Sequence, residues 1–377
     1  MTLQRRFLTV ALASGLILGI AWIAFRSNEP SYGGKTLGVW LEQLRAGNEI
    51  NDPFTEVEID TPATRAVRAM GREALPVLVR MARTTDTAMR RTIVEFAHHN
   101  EWLSLHPQSF DEIQTRTAYG FAVLGPAAKP ALPELVGMLE NRNAEVRLLA
   151  VFALGRIGPG ARDAVPALQG LLDRAAREAP ASRWNADEKI LACYALGQMG
   201  PAARPALPQL RALKSDASII VREDAEGAII RITGAGVDAV VENLKDTSNQ
   251  TNWLHAARTI LSTGTNGAPA IPFLIAGLQH TNKNIQENAV HALGRIHLRP
   301  EICLPPLIPL LQLTNTNAFN RAFVLENVMA FGTNVRSYLP VSELVRMLVD
   351  GDGGVRAHAT NALRQLYPQE AAKEGIN

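Results

Sequence analysis

Three histidines and a glutamate lie close together near residue 100, and a metal ion accepts both residue types as ligands. The group comprises His98, His99, Glu101 and His106. Because neighbouring residues on a helix point about 100° apart, His98 and His99 cannot both face one ion without distortion. The spacing therefore predicts no metal site here, and we expect the chain to hold no cofactor.

The sequence also lacks the motifs of common enzymes. It contains no Gly-x-Ser-x-Gly, and its Gly-x-x-Gly runs follow predicted helices instead of strands, so they predict helix caps and not phosphate loops. His291 and His297 are six residues apart, which places them on opposite faces of a helix predicted to end near Gly294. We therefore expect neither catalytic residues nor a small-molecule substrate.

One polar insertion carries the residue types that dominate many protein interfaces. Residues 172–189 interrupt an otherwise regular helical pattern and include Arg174, Arg177, Arg183 and Trp184. Tryptophan and arginine are enriched at binding hot spots, and insertions in repeat arrays often lie on the binding face. We expect these four side chains to contact a protein partner. In the alternative interpretation, Trp184 folds back on its own helices.

The elements that must position these residues repeat along the chain. Residues 125–158 contain two short amphipathic helices around a polar break at 140–144, with glycine able to cap one helix and proline able to start the next. A hairpin of about 33 residues is too small to bury its own apolar faces, so it must stack on copies of itself. The proline that opens the first helix recurs in the pairs 75–76, 132–133, 165–166, 207–208, 271–272, 304–305 and 339–340.

Charged pairs flank the turn inside several hairpins. Asp216 precedes Arg222 by six residues. Asp350 precedes Arg356 by the same number, and Arg147 ends a degenerate copy that begins with asparagine. Together with the prolines and glycines, these pairs resemble the HEAT-repeat family in its short bacterial form over residues 60–370. The resemblance implies an all-α solenoid of eight to nine hairpins, in which these charged side chains tie neighbouring repeats together.

Three classes of function remain open for such a solenoid. The first is a non-enzymatic scaffold that binds a protein partner on the face formed by the second helices. The second is a helical-repeat enzyme, but the His-Glu dyads of deoxyhypusine hydroxylase are missing and no bilin pocket like that of the phycobilin lyases is recognisable. The third is a nucleic-acid binder similar to HEAT-like glycosylases. Since the pI of 8.6 comes from scattered arginines, we expect no nucleic-acid partner.

An apolar stretch without charge lies at the N-terminus. Residues 7–25 number 19, enough at about 1.5 Å per residue to cross most of a bilayer core of about 30 Å. The run exceeds the usual apolar core of a signal peptide, so we interpret residues 1–26 as a signal anchor. Arg5 and Arg6 before it predict a cytoplasmic N-terminus and repeats on the periplasmic side. The alternative is a cleaved signal peptide and a secreted protein.

The remaining boundaries follow from the same patterns. We expect a tether and an N-terminal capping helix within residues 27–61, the solenoid at 62–367 and a frayed tail at 368–377. With 47% hydrophobic residues and a net charge of +2, the chain has ample material for a core and no strong electrostatic bias. Cys193 and Cys303 belong to repeats that are not neighbours, so we expect both thiols to be buried and unpaired.

Overall fold

The computed structural model describes residues 29–47, 61–99, 108–177, 183–312 and 321–376. The predicted anchor at residues 7–25 lies outside these ranges. Within them, no helix is both long enough and apolar enough to span a membrane. The described chain begins with a two-stranded antiparallel hairpin of β1 (Ser31–Tyr32) and β2 (Lys35–Thr36), and every further element is helical.

The helices follow in a regular order, and the predicted all-α solenoid is what the structure shows. Their bounds are α1 Leu37–Gly47, α2 Pro62–Met70, α3 Leu75–Ala82, α4 Ala88–His99, α5 Phe110–Leu124, α6 Leu132–Met138, α7 Ala144–Ile157, α8 Val165–Arg177, α9 Arg183–Met199, α10 Leu207–Leu213, α11 Ile219–Thr233, α12 Val237–Lys245, α13 Gln250–Thr263, α14 Ile271–Gly277, α15 Lys283–Ile296, α16 Pro300–Leu307, α17 Arg321–Met329, α18 Val341–Met347, α19 Gly353–Leu366 and α20 Pro368–Lys373.

Glycine and proline mark the junction between one hairpin and the next. At Gly125 the backbone adopts a φ of 49°, a left-handed value that favours glycine, and its N–H bonds to the carbonyl of Phe121. A short 3-10 segment, Gly125–Ala131, then leads into α6, where Pro133 lies in the first turn and needs no hydrogen-bond partner for its nitrogen. The same sequence of glycine, 3-10 turn and proline recurs along the chain, so successive hairpins enter the stack in the same way.

The odd-numbered helices from α5 to α19 form one row, in which each packs on the next. Small residues let their backbones approach closely. A Cβ atom added to Gly155 of α7 would lie 2.5 Å from the ring of Tyr194 in α9, and one added to Gly227 of α11 would lie 2.3 Å from the Cβ of Ser262 in α13. The even-numbered helices α6 to α18 are the first helices of the same hairpins.

The apolar core divides into two clusters, and α11 contributes to both. Ala225, Ala228 and Ile232 belong to the first cluster, which extends back to Leu37 in α1. Ile230 belongs to the second, which extends to Ala371 in α20. This division coincides with a first helix that does not open with proline. That helix, α12, begins at Val237 after Gly236, whose φ is 99°.

The structure adds detail at the two ends of the solenoid. The capping helix, expected within residues 27–61, is α1 at 37–47, and it follows the hairpin in which Lys35 and Thr36 pair. Residues 368–373, where the sequence predicts a frayed tail, form α20 instead. Ala371 is buried there, and the Tyr367 hydroxyl donates to the Leu339 carbonyl at 3.0 Å, so the last turn docks on the final repeat.

Candidate interaction surface

The predicted Asp and Arg residues lie at the turn between the two helices of a hairpin, where the arginine closes its own turn. Arg222 Nη1 donates to the carbonyls of Asp216 at 2.6 Å and Ala217 at 3.1 Å. Arg356 Nη1 donates in the same way to the Asp350 carbonyl at 2.7 Å. The guanidinium thus satisfies carbonyl groups of the turn, which begin three residues after the first helix ends at Leu213 or Met347.

The aspartate carboxylate faces the preceding repeat. Asp216 accepts from the Lys189 ammonium of α9 at 2.8 Å and from the Ser218 N–H at 2.9 Å, and Asp350 accepts from Arg321 of α17. Burial pushes the pKa of Asp216 upward, but the Lys189 hydrogen bond, the Ser218 N–H and the Lys189 and Arg222 charges together hold that pKa below its usual range. These contacts tie neighbouring repeats and occupy the charged groups.

The four predicted partner-binding residues of the insertion differ in their surroundings. Arg174, in the last turn of α8, donates to the Leu139 carbonyl at 3.1 Å and pairs with Glu140, so it too ties two hairpins. Arg177 ends α8 and is exposed. Arg183 and Trp184 begin α9, and their side chains lie outside the described part of the chain.

A polar junction between α11 and α13 interrupts the row of second helices. Glu223 of α11 is buried, and its Oε1 lies 2.6 Å from Nδ1 of His255 in α13. One residue on, Asp224 accepts a hydrogen bond from the Ser262 hydroxyl at 2.5 Å. Burial raises the pKa of Asp224 to about 6, the Ser262 bond opposes that rise and the Glu223 charge adds to it.

A cavity of about 180 Å³ opens beside this junction, between α11 and the hairpin of α12 and α13. We call this surface the junction cleft and define it by its polar lining residues, which are Glu226, Asn243, Asn252, His255 and Thr259. The two asparagines are exposed, and an amide side chain both donates and accepts hydrogen bonds. The cleft therefore offers paired donors and acceptors beside a carboxylate and an imidazole.

Sequence reasoning did not single out the junction cleft. The sequence feature that marks the cleft is the charged run 222–226 in α11. At the equivalent positions α7 has Arg147 followed by apolar residues, Leu148, Leu149, Ala150 and Val151. A search for charged pairs at turns passes over such a run. In the described ranges, no three His, Cys, Asp or Glu residues are placed to hold a metal ion. The sequence predicts no metal site among the histidines and the glutamate near residue 100. The side chain of His98, and the residues Glu101 and His106, lie outside the described ranges.

Comparison with known proteins agrees with the stacked hairpins. A HEAT-like repeat model matches residues 118–157, and a PBS lyase HEAT-like repeat model matches residues 146–174. No curated protein matches the sequence significantly.

Solved structures similar to the chain include engineered and designed repeat proteins. One engineered protein is 19% identical, with 88% of this chain and 96% of that chain covered and a TM-score of 0.32. A designed armadillo repeat protein in complex with the peptide (KR)4 is 22% identical, with 59% and 99% covered and a TM-score of 0.29. The two repeat-model matches over residues 118–174 confirm the resemblance to the HEAT-repeat family in that part of the chain, where the helical hairpins stack.

Proposed function

We propose that this chain is a non-enzymatic scaffold that binds a protein partner through its repeat surface, with the junction cleft as the principal contact. The observation that carries the proposal is the exposure of hydrogen-bonding groups from two helices in one depression beside the row of second helices. Asn243 and Asn252 come from different helices and face the same cavity.

The size and polarity of the cleft favour a polypeptide over a small molecule. A volume of about 180 Å³ is below the range of about 300–1,000 Å³ typical of small-molecule pockets. It suits one or two side chains of a segment laid across the surface, while the asparagine amides bond to that segment's main chain. Glu226 lines the cleft and accepts a hydrogen bond from Lys214 at 3.0 Å, so we expect the inserted side chain to donate hydrogen bonds to the groups that remain.

The insertion provides a second contact in this proposal. Arg177 is exposed at the end of α8, and Arg183 and Trp184 begin the next helix, α9. Arginine and tryptophan are the types that most often dominate binding energy. Arg174 contributes less, because Glu140 and the Leu139 carbonyl already occupy its guanidinium.

A membrane tether completes the proposal. The length and apolar character of residues 7–25 support an uncleaved signal anchor that holds the repeats on the periplasmic side. A partner in the same compartment would then meet a scaffold confined to the membrane surface.

Site-specific photo-crosslinking in cells tests the partner contact. A photoreactive residue at Asn252 should give a discrete adduct with one protein, whereas the same residue at Asn284 should not. Asn284 is a matched control because it is exposed in the first turn of the next second helix, α15. Equal adducts from both positions, or none from Asn252, would contradict binding at the cleft.

Alanine variants then measure how much each side chain of the surface contributes to the affinity for the partner. Asn243→Ala and His255→Ala should each weaken affinity for the crosslinked partner about tenfold, since each removes a hydrogen bond of about 1.5 kcal/mol. Trp184→Ala and Arg177→Ala test the insertion in the same titration. If the insertion variants bind as tightly as the parent chain, the insertion is not part of the contact.

Fractionation tests the tether separately from binding. The full chain should remain in the membrane pellet after an alkaline carbonate wash, and a variant lacking residues 7–25 should be released. A mature N-terminus at Trp22, after the small residues Gly19 and Ala21, would instead show by mass spectrometry that the segment is cleaved and the protein is secreted.

A further inference from the structure

We infer that a second copy of this chain binds to an uncharged surface of α14 and α16, so that the protein is a homodimer. We call this surface the uncharged patch and define it by its exposed residues Pro269, Pro272, Ala276, Ile302, Pro305 and Pro309. The inference depends on neither the junction cleft nor the membrane tether, and it goes beyond the proposed function.

The uncharged patch differs from the other first helices in its lack of charge. In the described chain from α6 to α18, every first helix except α14 contains at least one charged residue. The 3-10 segment before α14, Gly264–Ala270, has none either, and the one charged residue of α16, Glu301, accepts from Arg299 Nε at 2.6 Å. Residues 313–320, which lie outside the described ranges, are also uncharged in the sequence. Ile302 is 39% exposed, and exposed apolar surface of this kind is typical of protein contacts.

Neighbouring first helices expose residues at equivalent positions. α12 packs on α14, α14 packs on α16, and α16 packs on the 3-10 segment Gly332–Ser337 that precedes α18. Each helix exposes two residues four apart, which therefore lie on one face. In chain order these pairs are Asp238 and Glu242, Pro272 and Ala276, Pro305 and Pro309, and Ser342 and Arg346. Across the four helices, the second residue of each pair is thus acidic, uncharged, uncharged and basic.

A two-fold axis parallel to the helices, between α14 and α16, makes this order complementary to itself. The axis reverses the order of the helices, so Ala276 meets Pro309 of the partner subunit. Glu242 then meets Arg346 of the partner subunit. Because a two-fold contact is the same on both subunits, each of these contacts forms twice.

The charges on either side of the uncharged patch favour this axis. α12 has two acidic residues and one basic residue, a net charge of −1, whereas α18 and its 3-10 segment have one acidic and two basic residues, a net charge of +1. Glu242 pairs with Lys245 at 2.6 Å, and Arg346 pairs with Glu343, but such surface pairs are weak and leave the net charges unchanged. An axis along the row would instead place each helix against its own copy, with Glu242 against Glu242.

The dimensions of this surface suit a stable dimer. Four helices with about 9 Å between neighbouring axes span about 36 Å. α14 and the 3-10 segment before it have seven residues each, which gives a length of about 24 Å. A contact of this extent covers about 800 Å² of each subunit, the size of a standard stable interface.

Analytical ultracentrifugation of the full chain in a mild detergent tests the dimer. We expect the parent chain to be dimeric at micromolar concentration. Ala276→Glu should raise the dissociation constant at least about 100-fold, because it buries an unpaired carboxylate twice. Ala212→Glu is the matched control, since Ala212 is also exposed and is likewise the sixth residue of its helix, α10. It should leave the dimer intact.

Both glutamate variants should keep the circular dichroism of the parent chain, so that a loss of dimer is not a loss of fold. A parent chain that stays monomeric throughout the micromolar range would overturn the inference. A dimer that survives Ala276→Glu rests on another contact, such as the N-terminal segment, and would overturn it too.

Charge reversal tests the flanks of the contact. Glu242→Arg should weaken the dimer about tenfold, because an arginine then faces Arg346 of the partner subunit. Adding Arg346→Glu to the same chain restores opposite charges and should restore the affinity. A double variant as weak as Glu242→Arg would contradict the proposed axis.

Disulfide formation tests which residues face each other. When a chain with Ala276→Cys is mixed with a chain with Pro309→Cys, oxidation should give a mixed dimer, since only closely opposed cysteines can be joined. The native thiols Cys193 and Cys303 are buried and free, so they should not compete. If Ala276→Cys bonds to its own copy more than to Pro309→Cys, the proposed arrangement of the two copies is wrong.

Discussion

Glu188 of α9 is buried and accepts a hydrogen bond from the Arg147 Nε of α7 at 2.7 Å. It lies seven residues before Ala195, and the equivalent positions seven residues before Ala153, Ala292 and Ala362 hold Val146, Ile285 and Val355. A carboxylate thus occupies a core position that other repeats fill with a branched apolar side chain. Its second oxygen has no hydrogen-bond partner in the described part of the chain.

Removal of Arg147 should therefore be costly. Arg147→Ala leaves Glu188 buried without its counter-charge, and breaking such a pair costs about 3–5 kcal/mol in unfolding free energy. It also removes the bonds from Arg147 to the carbonyls of Asn141 and Arg142. Urea denaturation followed by circular dichroism measures the loss.

Two further variants control this experiment. Arg162→Ala, at a side chain that is 75% exposed, should change the unfolding free energy by less than about 0.5 kcal/mol. The double variant Arg147→Leu with Glu188→Val should recover much of the stability, because an apolar pair can replace a buried ion pair. If the double variant is less stable than Arg147→Ala, the buried pair is a stabilising contact and the argument fails.

Two glycine-to-alanine substitutions, one inside the row of second helices and one outside it, test how closely those helices pack. Gly227→Ala places a methyl 2.3 Å from the Cβ of Ser262, so α11 and α13 must separate, at about 1–3 kcal/mol. Gly137→Ala in α6 meets nothing within 4 Å and should stabilise the chain by about 0.5–1 kcal/mol, since alanine restricts the unfolded state. Thermal unfolding of the two variants should shift in opposite directions. A shared direction would contradict the close packing at Ser262.

Asp224 should make the chain less stable as the pH rises. Its pKa is raised to about 6, so the native state keeps a proton that the unfolded chain releases near pH 4. The contribution of Asp224 to stability is therefore full below about pH 4 and is lost as the pH passes through about 6. Asp224→Asn should stabilise the chain by about 1–3 kcal/mol at pH 7.5 and by much less at pH 4.5.

Denaturation of Asp224→Asn and the parent chain at both pH values measures this difference. Asp238→Asn, at an exposed position of α12, is the matched control. An equal gain for Asp224→Asn at the two pH values would rule out titration of this carboxyl.

His291 should make the chain less stable as the pH falls. Burial, and then the charge of Arg295, lower its pKa to about 4, and its ring meets Phe323 edge-on at 5.7 Å. Because the unfolded chain takes up a proton below about pH 6.5 and the native state does not, stability falls as the pH drops from about 6.5 to about 4. His291→Gln should remove about 2–3 kcal/mol of that loss at pH 4.5.

Melting temperatures at pH 7.5 and 4.5 compare this variant with the parent chain. His297→Gln, at the exposed end of α15, controls for loss of an imidazole. If both variants respond alike, the buried position of His291 is not the cause.

Local signals were sufficient to predict the helices. The sequence predicts two helices within residues 125–158 around a break at 140–144, and the structure has α6 and α7 there, because Asn143 caps the start of α7 and Gly158 ends it. The hairpin at 31–36 was missed because strands of two residues are too short to show alternation.

Contacts between repeats were harder to predict. The Asp–Arg spacing indicated a role for Asp216, but the partner of its carboxylate, Lys189, lies 27 residues earlier in another hairpin. The junction cleft was missed for a similar reason, because Glu226 and His255 meet only when α11 and α13 stack. Such pairings depend on the register of one hairpin against the next, which spacing within a hairpin does not report.

Force transmitted along the stack meets two kinds of joint. Some second helices meet through apolar side chains, whereas α7 and α9 also meet through Arg147 and Glu188, and the α11–α13 joint includes the pairs Glu223 with His255 and Asp224 with Ser262. Water can replace hydrogen bonds more readily than it can enter a dry apolar joint. Because the two apolar clusters also meet at α11, we expect a load applied to both halves to bend the molecule at this joint.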